Sequence, residues 1–376
     1  MNNPTTTLHD KYGLTPVINA AGSYTPLGVS RSSAFVARQT AQALQACCGI
    51  EEVQQQASRQ LAAFSGAQAG AVTHCASAAI TQAVAACITG TDAAAVADLP
   101  DVADRRHTVV IPEGHCVDYG HPILTDIRLA GARALRAGDR SSLPLAELER
   151  CLDTPGVCGL LLVSSRLTAF QDFDWAGAVA LARARRIPTV IDGAAQDLRV
   201  PELLRTGADA ILVSAHKYLA SPTAGLVLGT QAFIDAFRAQ ERGIGRAMKP
   251  SKEAVLGVLA ALEERSQLDT AGWRARQDNK VALLMDLLHH RQDLDVRAED
   301  DPAGMPFQRI RLAFRGGVAA ARDVVGILAS GRPSIRVMEH GLENALVHLE
   351  LVALDESEVR HIAAQLAVAL DARGAR

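Results

Sequence analysis

The sequence lacks the long apolar run that a membrane-spanning helix requires. No window of the 376 residues reaches the roughly 18 uninterrupted apolar residues that such a helix needs. The first residues, MNNPTTTLHDKYG, also lack the basic and then apolar layout of a secretion signal. We therefore expect no membrane contact and, by default, a cytoplasmic location.

Charge of one sign is not concentrated anywhere in the chain. The 38 basic and 41 acidic side chains leave a formal net charge of −3. Binding to a polyanion or to a membrane surface would require a block or stripe of basic residues. We therefore expect no nucleic acid among the partners of this protein.

Sequence patterns for disulfides, metals and several hydrolases are also missing. The cysteines number seven, an odd count, and they form neither CxxC pairs nor a regular framework, so we interpret them as reduced thiols. No HExxH, GxxxxGK[ST] or GxSxG motif and no Cys/His cluster occurs. These absences leave metal-dependent hydrolysis, nucleotide hydrolysis and serine esterase chemistry unsupported, and no metal site is predicted.

Short β-branched runs alternate with alanine- and leucine-rich helical patterns through much of the chain. Apolar residues make up 48% of the sequence, enough for a substantial core. Such alternation is typical of an α/β fold with a doubly wound, mostly parallel sheet. The clearest strands are predicted at 107–112, 159–165, 187–193, 208–216 and 224–230. The clearest helices are predicted at 80–89, 145–152, 175–184 and 231–240.

Four segments follow from this pattern. Residues 51–245 are predicted to form the large domain, and residues 246–290 to form connecting helices. Residues 291–376 combine strand-like and helical stretches and are predicted to form a smaller α+β domain. Residues 1–50 are expected to pack on that domain or on a partner subunit.

One lysine stands directly after an apolar run, in the segment VSAHKYLASPTAGLVLG. Lys217 follows the fourth predicted strand, and Asp192 lies at the end of the third. Open α/β sheets build their binding sites at the carboxyl ends of their strands. The two charges could simply pair with each other. The small residues after Asp192 and the Ser/Thr/Gly cluster after Lys217 favour a cofactor site instead.

A lysine that forms a Schiff base and an aspartate that keeps a pyridine nitrogen protonated are what pyridoxal phosphate requires. Desolvation lowers the pKa of a lysine enough to make its amine a nucleophile near neutral pH. The phosphate of the cofactor needs backbone N–H groups, best found at a helix start. The small-residue turn in THCASAAITQ offers Ala76, Ser77 and Ala78. We predict pyridoxal 5'-phosphate as the cofactor.

Other side chains near these motifs are candidate cofactor contacts. Ser214 is placed to bind the phosphate, or else it is a satisfied strand-end hydroxyl. His115, after another strand, is placed to stack on the ring, or else it lies in a partly exposed loop. The remaining candidates are His216, Gln196, Thr223 and Gly225.

An anionic substrate group is best held by a guanidinium or an ammonium group. Arg246 and Lys249 in GIGRAMKPSKE and Arg336 in PSIRV are the candidates. Ser23 and Thr25, in INAAGSYTPLG, complete the predicted substrate contacts.

The order of five motifs resembles the SelA-like group of fold-type I pyridoxal phosphate enzymes, which spans selenium transferase and ammonia-lyase types. The motifs are INAAGSYTPLG (18–28), THCASAA (73–79), VIDGAAQ (190–196), SAHKYLASPTAG (214–225) and IGRAMKPSKE (244–253). The resemblance covers nearly the whole chain. It implies a fold-type I large domain with a smaller α+β domain.

The resemblance also implies roles for individual residues. Lys217 would carry the cofactor, Asp192 would face the pyridinium nitrogen, and the turn 76–78 with Ser214 would lie near the phosphate. Residues 223–225 would approach the phosphate of a neighbouring subunit, in a homodimer or higher homo-oligomer. Cys75 departs from the family pattern, because relatives often have glycine there, and a side chain narrows the permitted backbone angles.

The expected activity is α,β-elimination from a small amino acid or an amino sugar acid. It follows from resemblance to the ammonia-lyase branch, with Lys217 removing the α-proton. A racemase or an aminotransferase would use the same proton abstraction and stays open. A selenium transferase is less favoured, because the near-neutral charge offers no surface for tRNA. A cofactor-binding protein without catalysis is the alternative of another class.

Overall fold

A computed structural model describes residues 7–102, 105–170 and 172–374. Its strands, in chain order, are β1 Val17–Asn19, β2 Ala69–Thr73, β3 Thr108–Pro112, β4 Arg133–Ala137, β5 Val157–Val163, β6 Thr189–Asp192, β7 Ala210–Ser214, β8 Gly225–Gly229, β9 Leu294–Asp300, β10 Gln308–Phe314, β11 Ser334–Arg336 and β12 Leu346–Leu349. Its α-helices are α1 Leu8–Tyr12, α2 Ala34–Leu44, α3 Ile50–Ser65, α4 Ala76–Thr89, α5 Ala93–Asp98, α6 Ile123–Leu129, α7 Leu145–Leu152, α8 Trp175–Ala184, α9 Val200–Arg205, α10 Gln231–Ala239, α11 Lys252–Ser266, α12 Thr270–Leu288, α13 Gly317–Ser330 and α14 Glu356–Gly374. No described helix is both long and apolar enough to cross a membrane.

The chain divides into two compact units. The larger unit is Ser32–Gln267, and the smaller unit combines the described residues of Met1–Arg31 and Leu268–Arg376. The divisions differ from the boundaries predicted at 50/51 and 245/246. Residues 34–44 belong to the larger unit because α2 packs on α11, and α11 also packs on α3. Residues 1–6 of the predicted N-terminal segment lie outside the described residues.

The larger unit is built on a seven-stranded sheet in the order β2-β8-β7-β6-β5-β3-β4. The strands from β7 to β4 are parallel, and only β8 runs antiparallel to its neighbours β7 and β2. Every residue of β2, β5, β6, β7 and β8 is buried. Separate apolar clusters cover the two faces of the sheet, as in a three-layer α/β fold. The predicted α/β class is confirmed.

Helix α4 is almost wholly buried and begins two residues after β2. Its sequence ASAAITQAVAACIT is rich in alanine, the strongest helix former, and its small side chains permit close packing on the sheet. The extended residue Cys75 caps its start, and Gly90 ends it. The helix therefore presents its N-terminus at the end of β2, next to β8.

The smaller unit has a separate core. The antiparallel sheet β12-β10-β9 packs with α12, α13 and α14, and β1 pairs in parallel with β11. A buried ion network also lies in this unit. Arg309 Nη2 lies 2.6 Å from Asp301 Oδ2 and 3.0 Å from Glu350 Oε2.

Candidate active site

Three neighbouring strands and β2 meet at one edge of the large sheet. Asp192 ends β6, Ser214 ends β7, and Gly225 begins β8. Gly225 pairs with Ser214 on one side and with Thr73, the last residue of β2, on the other. The Ser214 N–H donates to the carbonyl of Ala194 at 3.0 Å, which ties the segment after β6 to the end of β7. The sheet thus brings the predicted Asp192 and Ser214 to one edge.

Asp192 is a buried carboxyl group with 5% of its surface exposed. Its Oδ1 accepts a hydrogen bond from the Ala194 N–H at 3.0 Å. Burial raises the pKa of Asp192 to about 6, and the positive charge of Lys217 opposes that rise. The carboxyl therefore sits in a low-dielectric position where a nearby positive group stabilises its ionised form.

The backbone around Lys217 is held in a tight loop between β7 and β8. The Lys217 N–H donates to the Ser214 carbonyl at 3.2 Å, and the Ala215 N–H donates to the Ala224 carbonyl at 2.9 Å. The loop is further anchored by Arg265 of α11, which donates to the carbonyl of Tyr218 at 2.5 Å.

Arg265 was not identified from the sequence. It also forms an ion pair with the buried Asp197 at 2.7 Å, and this carboxylate follows β6. One guanidinium thereby connects the segment after Asp192 with the residue after Lys217. No local pattern singles it out, because its partners lie 68 and 47 residues away in the chain.

The start of α4 offers backbone donors. Among the residues that the structure describes, the amides of Ala76 and Ser77 make no hydrogen bond, whereas the Ala78 amide donates to Cys75 Sγ at 3.4 Å. Cys75 has φ −160° and ψ 174°, an extended conformation that any residue adopts. The departure from glycine at Cys75 therefore costs no backbone strain, and its sulfur caps the helix.

The close packing of β8 against the turn before α4 requires a glycine at position 225. A Cβ at this position would lie 2.3 Å from the carbonyl oxygen of Cys75. Only glycine allows β8 and this turn to approach so closely. Gly225 thus fixes the distance between the end of β7 and the start of α4.

The hydroxyl of Ser77 has a protein partner that sequence reasoning missed. Ser77 Oγ donates to Asp126 Oδ1 at 2.6 Å, and the Tyr119 hydroxyl donates to the other oxygen of this carboxylate. His121 Nε2 lies 3.1 Å from Asp126 Oδ1. Burial, followed by the hydrogen bond to Asp126, raises the pKa of Tyr119. The available signal for Asp126 was an acid flanked by apolar residues in the stretch ILTDIRLA.

His115 lies in a buried aromatic cluster instead of in an exposed loop. Its ring stacks on Trp175 with centroids 5.7 Å apart and contacts Phe170 and Phe173. Its Nδ1 accepts a hydrogen bond from the Val163 N–H at 3.1 Å. Burial lowers the pKa of His115 to about 4, so the ring is neutral at pH 7.

Ser214, His216 and Gln196 also lie near the strand ends. Ser214 Oγ is 3.2 Å from His216 Nδ1. Burial and the charge of Lys217 lower the pKa of His216. Gln196 is buried, and its side-chain oxygen accepts a hydrogen bond from Arg199 at 3.1 Å.

Three other predicted residues line one cavity of about 770 Å³ in the larger unit. They are the exposed Thr223, Arg246 and Lys249. His74, which directly precedes the turn before α4, lines the same cavity.

The other predicted substrate contacts belong to the smaller unit. Arg336 ends β11 beside Asn19 of β1. Ser23 and Thr25 follow the turn that the Asn19 side chain closes by donating to the Gly22 carbonyl at 2.8 Å. Their contact with substrate stays a prediction.

The donor set of the larger unit fits pyridoxal phosphate. The buried Asp192 suits a protonated ring nitrogen, since a charged partner would offset the burial that raises its pKa. The amides of Ala76 and Ser77 at the start of a 14-residue helix suit a phosphate. Lys217 lies in the loop that follows the adjacent strand β7.

Comparison with known proteins found relatives along the whole chain, although no protein-family model matches it. The chain is 34% identical to D-glucosaminate-6-phosphate ammonia lyase of Salmonella typhimurium, over 96% of this chain and 97% of that protein. It is 30% identical to 5'-C-glycyluridine monooxygenase-decarboxylase of a Streptomyces species, over 93% of this chain and 90% of that protein. It is 26% identical to L-seryl-tRNA(Sec) selenium transferase of Desulfomicrobium baculatum, over 65% of this chain and 56% of that protein.

The fold agrees with these relationships. A solved structure of D-glucosaminate-6-phosphate ammonia-lyase superposes with a TM-score of 0.86 and 32% identity, over 98% of this chain and 99% of that one. Serine palmitoyltransferase of Sphingomonas wittichii, at 14% identity and a TM-score of 0.60, shares the fold alone.

Proposed function

The chain belongs to the SelA-like family of fold-type I pyridoxal phosphate-dependent enzymes, and from this premise we propose that it is an ammonia-lyase acting on an amino sugar acid. The observation that carries the proposal is the 34% identity to an ammonia-lyase along nearly the full length of both chains. The charged groups at the strand ends, Asp192 and Lys217, supply the side chains that such a reaction needs. The reaction converts a 2-amino-3-hydroxy acid into a 2-oxo acid and ammonia.

We assign Asp192 and the start of α4 to holding the cofactor. Pyridoxal phosphate, when bound, supplies the electron sink that makes the α-hydrogen of an amino acid acidic. Asp192 would hold the proton on the ring nitrogen, because its buried carboxylate is stabilised by a cationic partner. The amides of Ala76 and Ser77 would bind the phosphate. The tight packing at Gly225 keeps the start of α4 at a fixed distance from the end of β7, the strand next to β6.

We assign the proton transfer to Lys217. Its Nζ would take the proton from the α-carbon and would return a proton to the departing β-hydroxyl, which leaves as water. Addition of one water molecule to the eliminated product then gives the 2-oxo acid and ammonia, so that no net water is consumed. The anchoring of its loop by Arg265 restricts where this amine can reach. Positioning of this kind matters because a proton acceptor must lie within hydrogen-bond distance of the proton that it removes.

A direct test is to incubate the purified, cofactor-loaded enzyme with D-glucosaminate 6-phosphate. Stoichiometric ammonia and 2-oxo acid are expected, and Lys217→Ala should abolish both, together with the visible absorbance of the covalently bound cofactor. Arg150→Gln, an exposed substitution on α7, is the matched control and should retain activity. Absence of ammonia from this substrate and from other 2-amino-3-hydroxy acids would refute the proposal.

The same incubation, repeated in deuterated water and followed by the absorbance of the cofactor and by oxygen consumption, separates the alternative reactions. Solvent deuterium at the α-carbon without product would indicate a racemase. Conversion of the cofactor to its amine form would indicate an aminotransferase. Consumption of oxygen with release of carbon dioxide would indicate the chemistry named for the Streptomyces relative.

We further propose that the enzyme assembles as a homodimer or higher homo-oligomer. The support is its family membership, together with the exposed position of Thr223 on the loop after Lys217. Light scattering on the eluting peak of a gel-filtration column should give at least twice the 39.7 kDa of one chain. A monomeric mass would contradict the assembly without affecting the proposed reaction.

A further inference from the structure

A buried carboxylate lies next to the start of α4. Asp126 of α6 has 0% of its surface exposed, and it accepts hydrogen bonds from Ser77 Oγ at 2.6 Å and from the Tyr119 hydroxyl. His121 Nε2 lies 3.1 Å from Oδ1, the same oxygen that Ser77 contacts. Ser77, whose amide we assign to the cofactor phosphate, is therefore in direct contact with a negative charge.

The charge of Asp126 is also felt at the carboxyl group assigned to the ring nitrogen. It contributes to raising the pKa of Asp192, for which burial is the largest cause. The charge of Asp192 in turn contributes to raising the pKa of Tyr119, after burial and the hydrogen bond to Asp126. The cluster around Asp126 therefore belongs to the candidate active site, between the start of α4 and the end of β6.

The hydroxyl of Ser77 cannot serve Asp126 and a phosphate at the same time. A hydroxyl group has a single proton, and in the structure this proton is donated to Asp126. A phosphate monoester carries a charge of about −2 at neutral pH and can then only accept hydrogen bonds. Binding of the phosphate beside Ser77 and Asp126 therefore brings negative charges together, which favours the uptake of a positive charge nearby.

His121 is placed to supply this charge. Its side chain is 40% exposed and so exchanges protons with solvent, whereas the carboxylate that it contacts is fully buried. Histidine is the side chain whose charge changes between about pH 5 and 8. Nearby anions favour the protonated imidazole, and a protonated imidazole forms a stronger hydrogen bond to a carboxylate.

The cations on the neighbouring strand have other partners. Strand β4 packs on α6. Its Arg133 contacts His107 at 3.1 Å, and its Arg136 pairs with Glu113 at 3.4 Å. Both side chains are therefore engaged by groups other than Asp126.

We propose that binding of pyridoxal phosphate is coupled to protonation of His121, which becomes the positively charged partner of Asp126 when the cofactor phosphate lies at the start of α4. His121 acts on the phosphate through Asp126 and Ser77, as a positioning residue. This inference rests on the cofactor assignment within the proposed function, and it is independent of which substrate bond is broken.

The pH dependence of cofactor binding tests the coupling. The bound state carries the additional proton, so the gain in affinity is greatest at low pH and is lost as the pH rises through the titration of His121 in the bound state. Calorimetric titration of the cofactor-free enzyme with pyridoxal phosphate measures the dissociation constant. Repeating it in two buffers of different ionisation enthalpy counts the protons taken up.

His121→Gln keeps a hydrogen-bond donor for Asp126 but cannot be protonated. At about pH 6 the variant should bind pyridoxal phosphate about tenfold more weakly than wild type, and at about pH 8.5 equally. Near neutral pH it should take up fewer protons than wild type. Comparison at each pH removes the titration of the cofactor and of Asp192, because both are common to the two proteins.

Two controls make the result specific. His107→Gln replaces another half-buried histidine, which directly precedes β3 at the opposite end of the strand, and should bind like wild type at every pH. Pyridoxal, which lacks the phosphate, should bind equally to wild type and to His121→Gln at both pH values.

Three results would overturn the proposal. One is the same pH dependence of cofactor affinity in wild type and in His121→Gln. Another is a loss of affinity that is equal at every pH, which would show a purely structural role. The third is an equally large, pH-dependent difference with pyridoxal, because the proton would then respond to the ring. Absence of ammonia release would refute the proposed reaction and would leave these binding constants unaffected.

Discussion

At the scale of single residues, Asp192 shows how burial prepares a group for a ligand. Its pKa is raised to about 6 because the carboxylate loses its solvation, and this is only partly offset by the charge of Lys217. A raised pKa means that the fold without cofactor disfavours the ionised form. Asp192 is therefore suited to cofactor binding at the expense of stability in the empty protein.

Replacement of Asp192 by asparagine should stabilise the cofactor-free protein at pH 8. The folded pKa lies above the ordinary value of 3.8, so the protonated carboxyl stabilises the fold relative to the ionised one. This contribution to stability is complete below about pH 4 and is lost as the pH rises through 6. The gain from Asp192→Asn should be about 3 kcal/mol at pH 8 and should vanish near pH 4. Urea unfolding at both pH values measures it, with the exposed Asp172→Asn as the control. A variant that is no more stable than wild type at pH 8 would contradict this account.

His115 titrates in the opposite sense, because burial lowers the pKa of its imidazole to about 4. The neutral ring is favoured in the fold, so its contribution to stability is present above pH 6.5 and is lost as pH falls towards 4. Its Nδ1 also satisfies the Val163 N–H.

Replacement of His115 by phenylalanine should cost about 1–3 kcal/mol at pH 8, because the buried Val163 N–H loses its acceptor. The difference from wild type should shrink as pH falls from 6.5 to 4, since the variant has no imidazole to protonate. Thermal unfolding as a function of pH measures both effects. A constant difference across this range would show that His115 is not neutral in the fold.

At the scale of secondary structure, the candidate site depends on how closely β8 approaches the turn before α4. Gly225 is the contact point, and it pairs with both β7 and β2. On the other side of α4, the buried Asp126 of α6 accepts from Ser77. The helix start is thus held from two directions.

Gly225→Ala should displace the start of α4 and lower the affinity for pyridoxal phosphate at least tenfold, by roughly 1.4 kcal/mol or more. The added Cβ would lie 2.3 Å from a backbone oxygen, which cannot move like a side chain. Gly326→Ala in α13 is the matched control. It has open space around it and should stabilise the protein by about 0.4–1 kcal/mol. Cofactor titration and thermal unfolding give the two readouts, and unchanged cofactor affinity in Gly225→Ala would be the contrary result.

At the scale of the whole molecule, each of the two units has its own core, and the smaller unit adds a buried ion network. Arg309 is 7% exposed on its side chain and is paired with Asp301 and Glu350, which are 2% and 3% exposed. Buried carboxylates without a counter-ion are costly to the fold.

Arg309→Met should destabilise the protein by about 3–5 kcal/mol, because it leaves two buried carboxylates without a cation. Adding Asp301→Asn and Glu350→Gln should restore part of the loss. Arg322→Met is the control, because its ion pair with Glu343 is exposed and should change stability by less than about 1 kcal/mol. Chemical denaturation measures the free energy of unfolding of each variant. A loss for Arg309→Met as small as that for Arg322→Met would contradict the prediction.

The periodicity of the sequence predicted the large domain well where the apolar runs are longest. Helices α7 and α8 begin and end at the predicted residues, and the five predicted strands contain or largely overlap β3 and β5 to β8. The elements of this domain that were not predicted include α3, α6, β2 and β4. Half-exposed residues in β4, RALRA, give no strong apolar signal.

The domain boundaries could not be predicted, because they depend on packing between distant segments. Helix α2 contacts α11, more than two hundred residues later in the chain. The hydrophobic pattern of a short stretch of sequence does not specify which distant helix packs against it.

The sequence by itself determined the family, the α/β class, the position of Asp192 at the end of β6 and that of Lys217 shortly after β7. These follow because strand ends are local features, and a parallel sheet aligns its carboxyl edges. Only the tertiary structure decided that Asp126 engages Ser77, that Arg265 anchors the loop of Lys217, and that the Met248 carbonyl accepts a hydrogen bond from Thr73 at the end of β2. Those contacts join residues 49, 47 and 175 positions apart. Their partners are chosen by packing, which no local spacing encodes.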